Sequence, residues 1–372
     1  TLEGDNKVSS SEDGHVVVTG TVTVSGVHTD LVGKTVNVTL TDADSPALSV
    51  STTAVVLSSG KFVAEAVDIG AFKDGDITVA ANVSDPAGNS TAASPKTITL
   101  DNAAPTISIA GTLEGDNIVN AGEANDVVIS GTTSGVADAT NAVTVTFTDG
   151  TSTVTKTANV SGDAWTLTGS EADISSLKNG AITVTANVSD AHGNAAPAAT
   201  RTITLDTVVP TITIDGTLEG DNVVSNSEEG GIVVSGTSAG LAKDTTISVK
   251  VSGTSGTDVT KDVKTNLDGT WSATMGTVDG LANGTLTITA TGSDVAGNAA
   301  GTASKTVTYD DVAPVIAIDG TLEGDNKVNS SEDGSIVVTG TVTVSGVHAD
   351  LIGKTVNVTL TDADSLSVST TA

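Results

Sequence analysis

The sequence predicts an all-β chain of tandem β-sandwich domains, and three observations carry that prediction. Short runs rich in Val, Ile and Thr alternate apolar with polar residues. The hexapeptide Thr-Leu-Glu-Gly-Asp-Asn returns at Thr1, Thr112, Thr217 and Thr321. No segment carries the 3.6-residue periodicity of a long helix. The hexapeptide spacings, 111, 105 and 104 residues, exceed the roughly 20–50 residues of a solenoid unit and suit a domain with its own core.

Within the second copy, expected strands A to G fall at 106–110, 127–132, 142–148, 153–160, 164–168, 182–188 and 201–205. Strand F shows the pattern best: Ile182, Val184, Ala186 and Val188 share one face, as do Ile77, Val79, Ala81 and Val83 in the first copy. Asp74-Gly75, Asn179-Gly180 and Asn283-Gly284 precede strand F and supply the positive φ of a tight turn, with one short turn at 174–177 before it. About seven strands in roughly 100 residues make a Greek-key sandwich of immunoglobulin type. With no Cys to form that fold's disulfide, packing has to replace it. The single aromatic opening strand E, Phe62, Trp165 or Trp271, is the expected filler.

The expected domains are 1–101, which lacks the first strand, then 102–206, 207–310, and 311–372, which holds only half a unit. Residues 1–45 and 321–365 match at 40 of 45 positions, so the larger duplicated block spans three domains. A chain that opens at Thr1 without Met and closes half-way through a unit is expected to be cut from a longer array. The fourth copy, offering half a core, is expected to be disordered, to pair with a neighbouring molecule, or to reflect the cut.

Composition excludes several functions. The 45 acidic against 15 basic residues leave a charge of −30, the wrong sign for binding nucleic acid or anionic lipid. The absence of Cys removes a disulfide scaffold and thiolate metal sites. No apolar stretch approaches the roughly 18 residues of a membrane span. The four His are scattered, which gives zinc or iron little support.

The acidic residues recur in register. Sandwich topology places the A-B, C-D and E-F loops at the C-terminal pole and the B-C, D-E and F-G loops at the N-terminal pole. The expected second junction gathers Glu114, Asp116, Asn117, Asp173 and Asp206 against Asp294 and Asn298. The first gathers Glu3, Asp5, Asn6 and Asp101 against Asp190 and Asn194, and the third Glu219, Asp221, Asn222, Asp310 and Asp311. Carboxylates crowded this way repel, and calcium, with roughly six to eight oxygen ligands in flexible geometry, resolves the repulsion. The same Asp, Asn and Gly also form self-hydrogen-bonded turns with no ion. Short linkers ending in Pro105, Pro210 and Pro314 restrict the joint between domains.

Catalytic patterns are weak. Gly236-Thr237-Ser238-Ala239-Gly240 spells a nucleophile elbow, yet no helix is expected after it and its copy has no His. Glu12-Asp13, Glu228-Glu229 and Glu332-Asp333 are sequence neighbours in one loop, as in a solvated or ion-binding turn.

The string Asp-x-x-Ala-Pro, a hydrophobic strand, Gly-Thr-Leu-Glu-Gly-Asp-Asn, Val-Val-x-Ser-Gly-Thr, a Trp-bearing strand E and Val-Ser-Asp-x-x-Gly-Asn resembles the bacterial immunoglobulin-like repeats of giant biofilm-associated adhesins. It is also similar to the calcium-stiffened extender repeats of repeats-in-toxin adhesins. The resemblance implies secretion, an extracellular place on the bacterial surface, and a spacer between an anchor and distal ligand-binding modules. Expected partners are neighbouring repeats of the same chain; the distal ligand is unknown. The expected function is a non-enzymatic rod stiffened by calcium at its joints. An alternative is that the repeats themselves bind carbohydrate or partner repeats, which an exposed aromatic cluster would favour.

Overall fold

The computed structural model describes residues 5–23, 31–44, 46–137, 142–167, 172–343 and 353–372. The first repeat forms β1 (Lys7–Ser9), β2 (Thr19–Thr21), β3 (Thr35–Asp42), β4 (Ser49–Val55), β5 (Lys61–Val63), β6 (Gly75–Ser84), β7 (Ser90–Ala92) and β8 (Lys96–Asp101). The second forms β9 (Thr106–Ile107), β10 (Ile118–Val119), β11 (Ile129–Ser134), β12 (Ala142–Thr148), β13 (Thr153–Ser161), β14 (Ala164–Leu167), β15 (Gly180–Asn187) and β16 (Ala199–Leu205). The third forms β17 (Thr211–Ile214), β18 (Val223–Ser225), β19 (Val233–Ala239), β20 (Thr246–Ser252), β21 (Val259–Lys264), β22 (Thr270–Thr274), β23 (Gly284–Gly292) and β24 (Ala303–Asp310). The fourth contributes β25 (Val315–Ile318), β26 (Gly340–Thr343), β27 (Asn357–Thr361) and β28 (Ser367–Thr371). No helix among the described residues is long and apolar enough to cross a membrane.

By contacts the chain divides at 207/208 into two units, Thr1–Thr207 and Val208–Ala372. Three separate hydrophobic clusters, drawn from residues 8–100, 113–205 and 212–309, give each complete repeat its own core. Each is an immunoglobulin-like Greek-key sandwich. In the third repeat a five-stranded sheet, β18-β24-β23-β20-β21, faces a three-stranded one, β17-β19-β22. In the second, β13 pairs with β12 and then gives Val160 and Ser161 to β14, so the two faces run on as one eight-stranded sheet.

Alternation sets the inward face as expected. Val143, Val145 and Phe147 of β12 and Ile182, Val184 and Ala186 of β15 are fully buried, with Thr between them turned outward. The strand-E aromatics are core: Phe62, Trp165 and Trp271 are all buried. Each lies opposite a glycine of the second sandwich strand, in the pairs Gly20 with Phe62, Gly131 with Trp165 and Gly236 with Trp271. The rings need that gap, since a Cβ on Gly131 would lie 2.6 Å from the Trp165 indole and 1.8 Å from the Ser108 carbonyl oxygen.

The described residues of the fourth repeat form strands and no closed core among themselves. Its strands make two separate pairs, β25 with β26 and β27 with β28, and leave Val315, Ile316, Ile318, Val342 and Val368 exposed.

Candidate functional site

The hexapeptide is the crossover between the two sheets. After it, β10 runs parallel to β16, Ile118 beside Thr204 and Val119 beside Leu205. Asn117 takes a left-handed φ of 66°, and its side-chain oxygen accepts the Leu113 N–H at 3.1 Å. Asp116 accepts the Ile118 N–H at 2.8 Å, and Glu114, also at positive φ, reaches across to the Val128 N–H at 2.6 Å. The third repeat repeats the arrangement: Asn222 accepts from Leu218, Asp221 from Val223 and Glu219 from Val233. In the first, Asp5 accepts from Lys7 and Asn6 has positive φ. Asp5, Asn6, Glu114, Asp116, Asn117, Glu219, Asp221 and Asn222 lie in the turn before a strand of two or three residues that runs parallel to the end of the last strand of its repeat. The side chains of Asp5, Asp116, Asn117, Asp221 and Asn222 each accept a backbone N–H within the turn, as Asp and Asn favour. Glu3 lies outside the described residues.

At the C-terminal pole the turn before strand F holds the outgoing linker. Asp74 accepts the Asn102 N–H at 2.8 Å, and Asn179 accepts the Thr207 N–H and hydroxyl, each at 3.1 Å. Asn283 accepts the Asp311 N–H and donates its amide to the Asp311 carboxylate at 2.6 Å. Gly75, Gly180 and Gly284 carry the expected positive φ. Asp310 accepts the Val312 N–H at 3.1 Å. Asp173 accepts the Ser175 hydroxyl and N–H, which together hold its pKa below the usual carboxylate value. Asp206 directly follows β16.

The first junction brings Asp101, Asp190 and Asn194 together. Asp190 folds the loop between β15 and β16 onto itself, accepting the His192 and Asn194 N–H groups and the Asn194 side-chain amide. Asn194, 2% exposed, donates to the Asp101 carbonyl oxygen at 2.7 Å and accepts the Ser10 N–H at 2.9 Å and hydroxyl at 2.8 Å. His192 Nδ1 lies 3.1 Å from the Asp101 carboxylate, and Lys7 Nζ donates to the Ala191 carbonyl oxygen at 2.8 Å. Asp294 and Asn298 form the same internal clamp, amide to carboxylate at 2.9 Å. Ser10, Lys7 and His192 were not expected at the joint. Nothing in a Ser, or in a lone His without a partner in sequence, points to a contact that closes only between repeats.

The donor set suits a hard cation in kind, since it is all oxygen. Both carboxylate oxygens of Asp190 and the amide oxygen of Asn194 already accept hydrogen bonds. Among the described residues no three His, Asp or Glu side chains converge as a metal-binding group. The fit therefore rests on Asp101, whose side chain stays 30% exposed beside His192.

Other candidate chemistry is absorbed by the fold. Ser238 lies within β19 and donates its hydroxyl to the Gly269 carbonyl oxygen, so the elbow pattern is strand. Glu12 and Glu228 each accept the N–H and hydroxyl of the serine three residues earlier. Glu229 accepts the hydroxyl of the buried Tyr309. Phe62, Phe72, Phe147, Trp165, Trp271 and Tyr309, the six aromatics, are all buried.

No family model and no curated protein matches the sequence. Among solved structures, the chain is similar to a tetra-tandem repeat in the extending region of a large adhesion protein, at 28% identity over 99% of this chain and 85% of that one, with a TM-score of 0.31. It is similar to a Ca2+-stabilized adhesin that helps an Antarctic bacterium reach out and bind ice, at 25% identity over 100% and 95% of the two chains, TM-score 0.42. A third likeness is to a structure bearing on host cell surface retention of a 1.5-MDa bacterial ice-binding adhesin, at 26% identity over 84% and 96%, TM-score 0.34.

Proposed function

We propose that this chain is a non-catalytic extender segment of a large bacterial surface adhesin, projecting a distal ligand-binding region outside the cell for adhesion or biofilm formation. The observation that carries the reading is the recurring linker clasp. In three successive repeats the residue before the strand-F glycine, Asp74, Asn179 or Asn283, holds the N–H of the residue 28 positions on, where the chain leaves the sandwich. A module that fixes its own exit direction is what a spacer requires, and a binding module does not need it. The partners are neighbouring repeats of the same chain.

Calcium at the joints belongs to the proposal. A charge of −30 and all-oxygen donors favour it. The residues proposed to hold it are Asp101 at the first joint and Asp310 with Asp311 at the third. Neutralising them would remove repulsion between poles and stabilise the folded array by mass action. The alternative in which the repeats bind sugar loses its support, because no aromatic ring is exposed to stack on one.

Small-angle scattering and thermal melting, in calcium and then in excess chelator, test the reading. A large maximum dimension that shortens in chelator, with a falling melting temperature, is expected. A collapsed chain in both conditions refutes the spacer, and no response to chelator refutes the calcium.

A further inference from the structure

The Asn194 amide uses its full hydrogen-bonding capacity. One N–H goes to the Asp101 carbonyl oxygen and the other to Asp190, while its oxygen accepts from the Ser10 N–H and hydroxyl. Three of these four bonds cross from the second repeat to the first, and the amide is buried. The corresponding loop of the first repeat supplies an internal comparison. There Asn89 makes the same clamp to Asp85, amide to carboxylate at 2.8 Å, yet it is exposed. The clamp therefore exists without a neighbour, and the amide is already set when the preceding repeat arrives.

We propose that Asn194 is a direct latch between repeats, one that holds the first joint whether or not Asp101 carries an ion. The partner it fits is the C-terminal pole of another repeat, read through a strand-end carbonyl and an N–H and hydroxyl just past the first edge strand. The inference rests on the extender reading only in taking joint stiffness as the property that matters. It gives Asn194 a role as an interaction residue beside the expected one as ion ligand.

Residue-resolved hydrogen exchange on the full chain in excess chelator tests this. The Ser10 N–H should be protected, and Asn194→Ala should cost it tenfold or more of that protection, with core amides such as those of Leu40 and Val145 unchanged. A measurement without substitution covers the case in which N194A unfolds the second repeat: the side-chain amide protons of Asn194 should exchange at least tenfold more slowly than those of Asn89. Equal rates for the two amides overturn the latch, as does Ser10 protection that N194A leaves intact. Ser10 protection lost in chelator and restored by calcium also overturns it, while supporting calcium at the joint. A joint that stays protected in chelator but opens in N194A establishes the latch.

Discussion

Gly131→Ala should damage one repeat and leave the others alone. The added Cβ would meet the Trp165 ring at 2.6 Å and the Ser108 carbonyl oxygen at 1.8 Å. Neither neighbour yields easily: Trp165 is 1% exposed, and Ser108 O belongs to backbone whose N–H bonds Thr132 O at 2.8 Å. Overpacking of this kind costs about 1–3 kcal/mol. Pushing the ring away also breaks the Trp165 Nε1 bond to Ser108 O, 3.2 Å, adding about 1 kcal/mol. A loss of about 2–4 kcal/mol in a domain near 100 residues lowers its melting temperature by about 10–20 °C. Calorimetry of the full chain, with repeat-specific hydrogen exchange to assign the transitions, should show the second repeat melting early and the first and third unmoved. In a Trp165→Ala background the same substitution should cost less, because the clash with the ring is gone while that with the Ser108 carbonyl oxygen remains. An unshifted transition, a uniform shift of all repeats, or full additivity of the two substitutions would refute the pairing of strand-B glycine with strand-E ring.

Other outcomes follow from single groups. Trp165→Phe should destabilise its repeat about 1 kcal/mol more than Trp271→Phe, read by denaturant melts, because the Trp271 indole N–H is buried with no partner to lose. Backbone N–H donors from Ser152, Lys178 and Thr151 bring the Asp149 pKa down to about 2. Its stabilisation is present above the unfolded value of 3.8 and lost as pH falls toward 2, so the melting difference between wild type and Asp149→Asn should close between pH 4 and pH 2. Burial, then the hydrogen bond to Glu229, raises the Tyr309 pKa above 10.0. Its contribution is complete below pH 10 and fades as pH rises further, so the third repeat alone should lose stability in strong alkali, and Tyr309→Phe should abolish that loss.

The long strands were legible because alternation is a property of sequence: β12 and β15 fall where Val, Ile or Phe recurs every second residue, and β16 alternates Ile203 and Leu205 with Thr. Strand β10 was not, since two residues carry no period. That short strand decides where the hexapeptide sits. With it, the run of Glu, Asp and Asn is a turn beside the end of β16 whose Glu reaches an N–H 14 positions on. The Asn-Gly turns were read for their positive φ, yet the asparagine side chain also grips the linker, a contact local turn chemistry does not encode. The Asn194 bond to Ser10 joins residues 184 apart, beyond any pattern within one repeat.

Two of the contacts Asn194 makes with its neighbour go to main-chain groups, the Asp101 carbonyl and the Ser10 N–H. Every repeat offers main-chain groups whatever its side chains, and the first three clasp their own linkers from within. Neighbours therefore need little mutual tailoring, so units can be copied, lost or shuffled by recombination without compensating substitutions. Length in such an array becomes a quantity that changes in whole modules, and near-identical blocks such as residues 1–45 and 321–365 are what that freedom leaves behind.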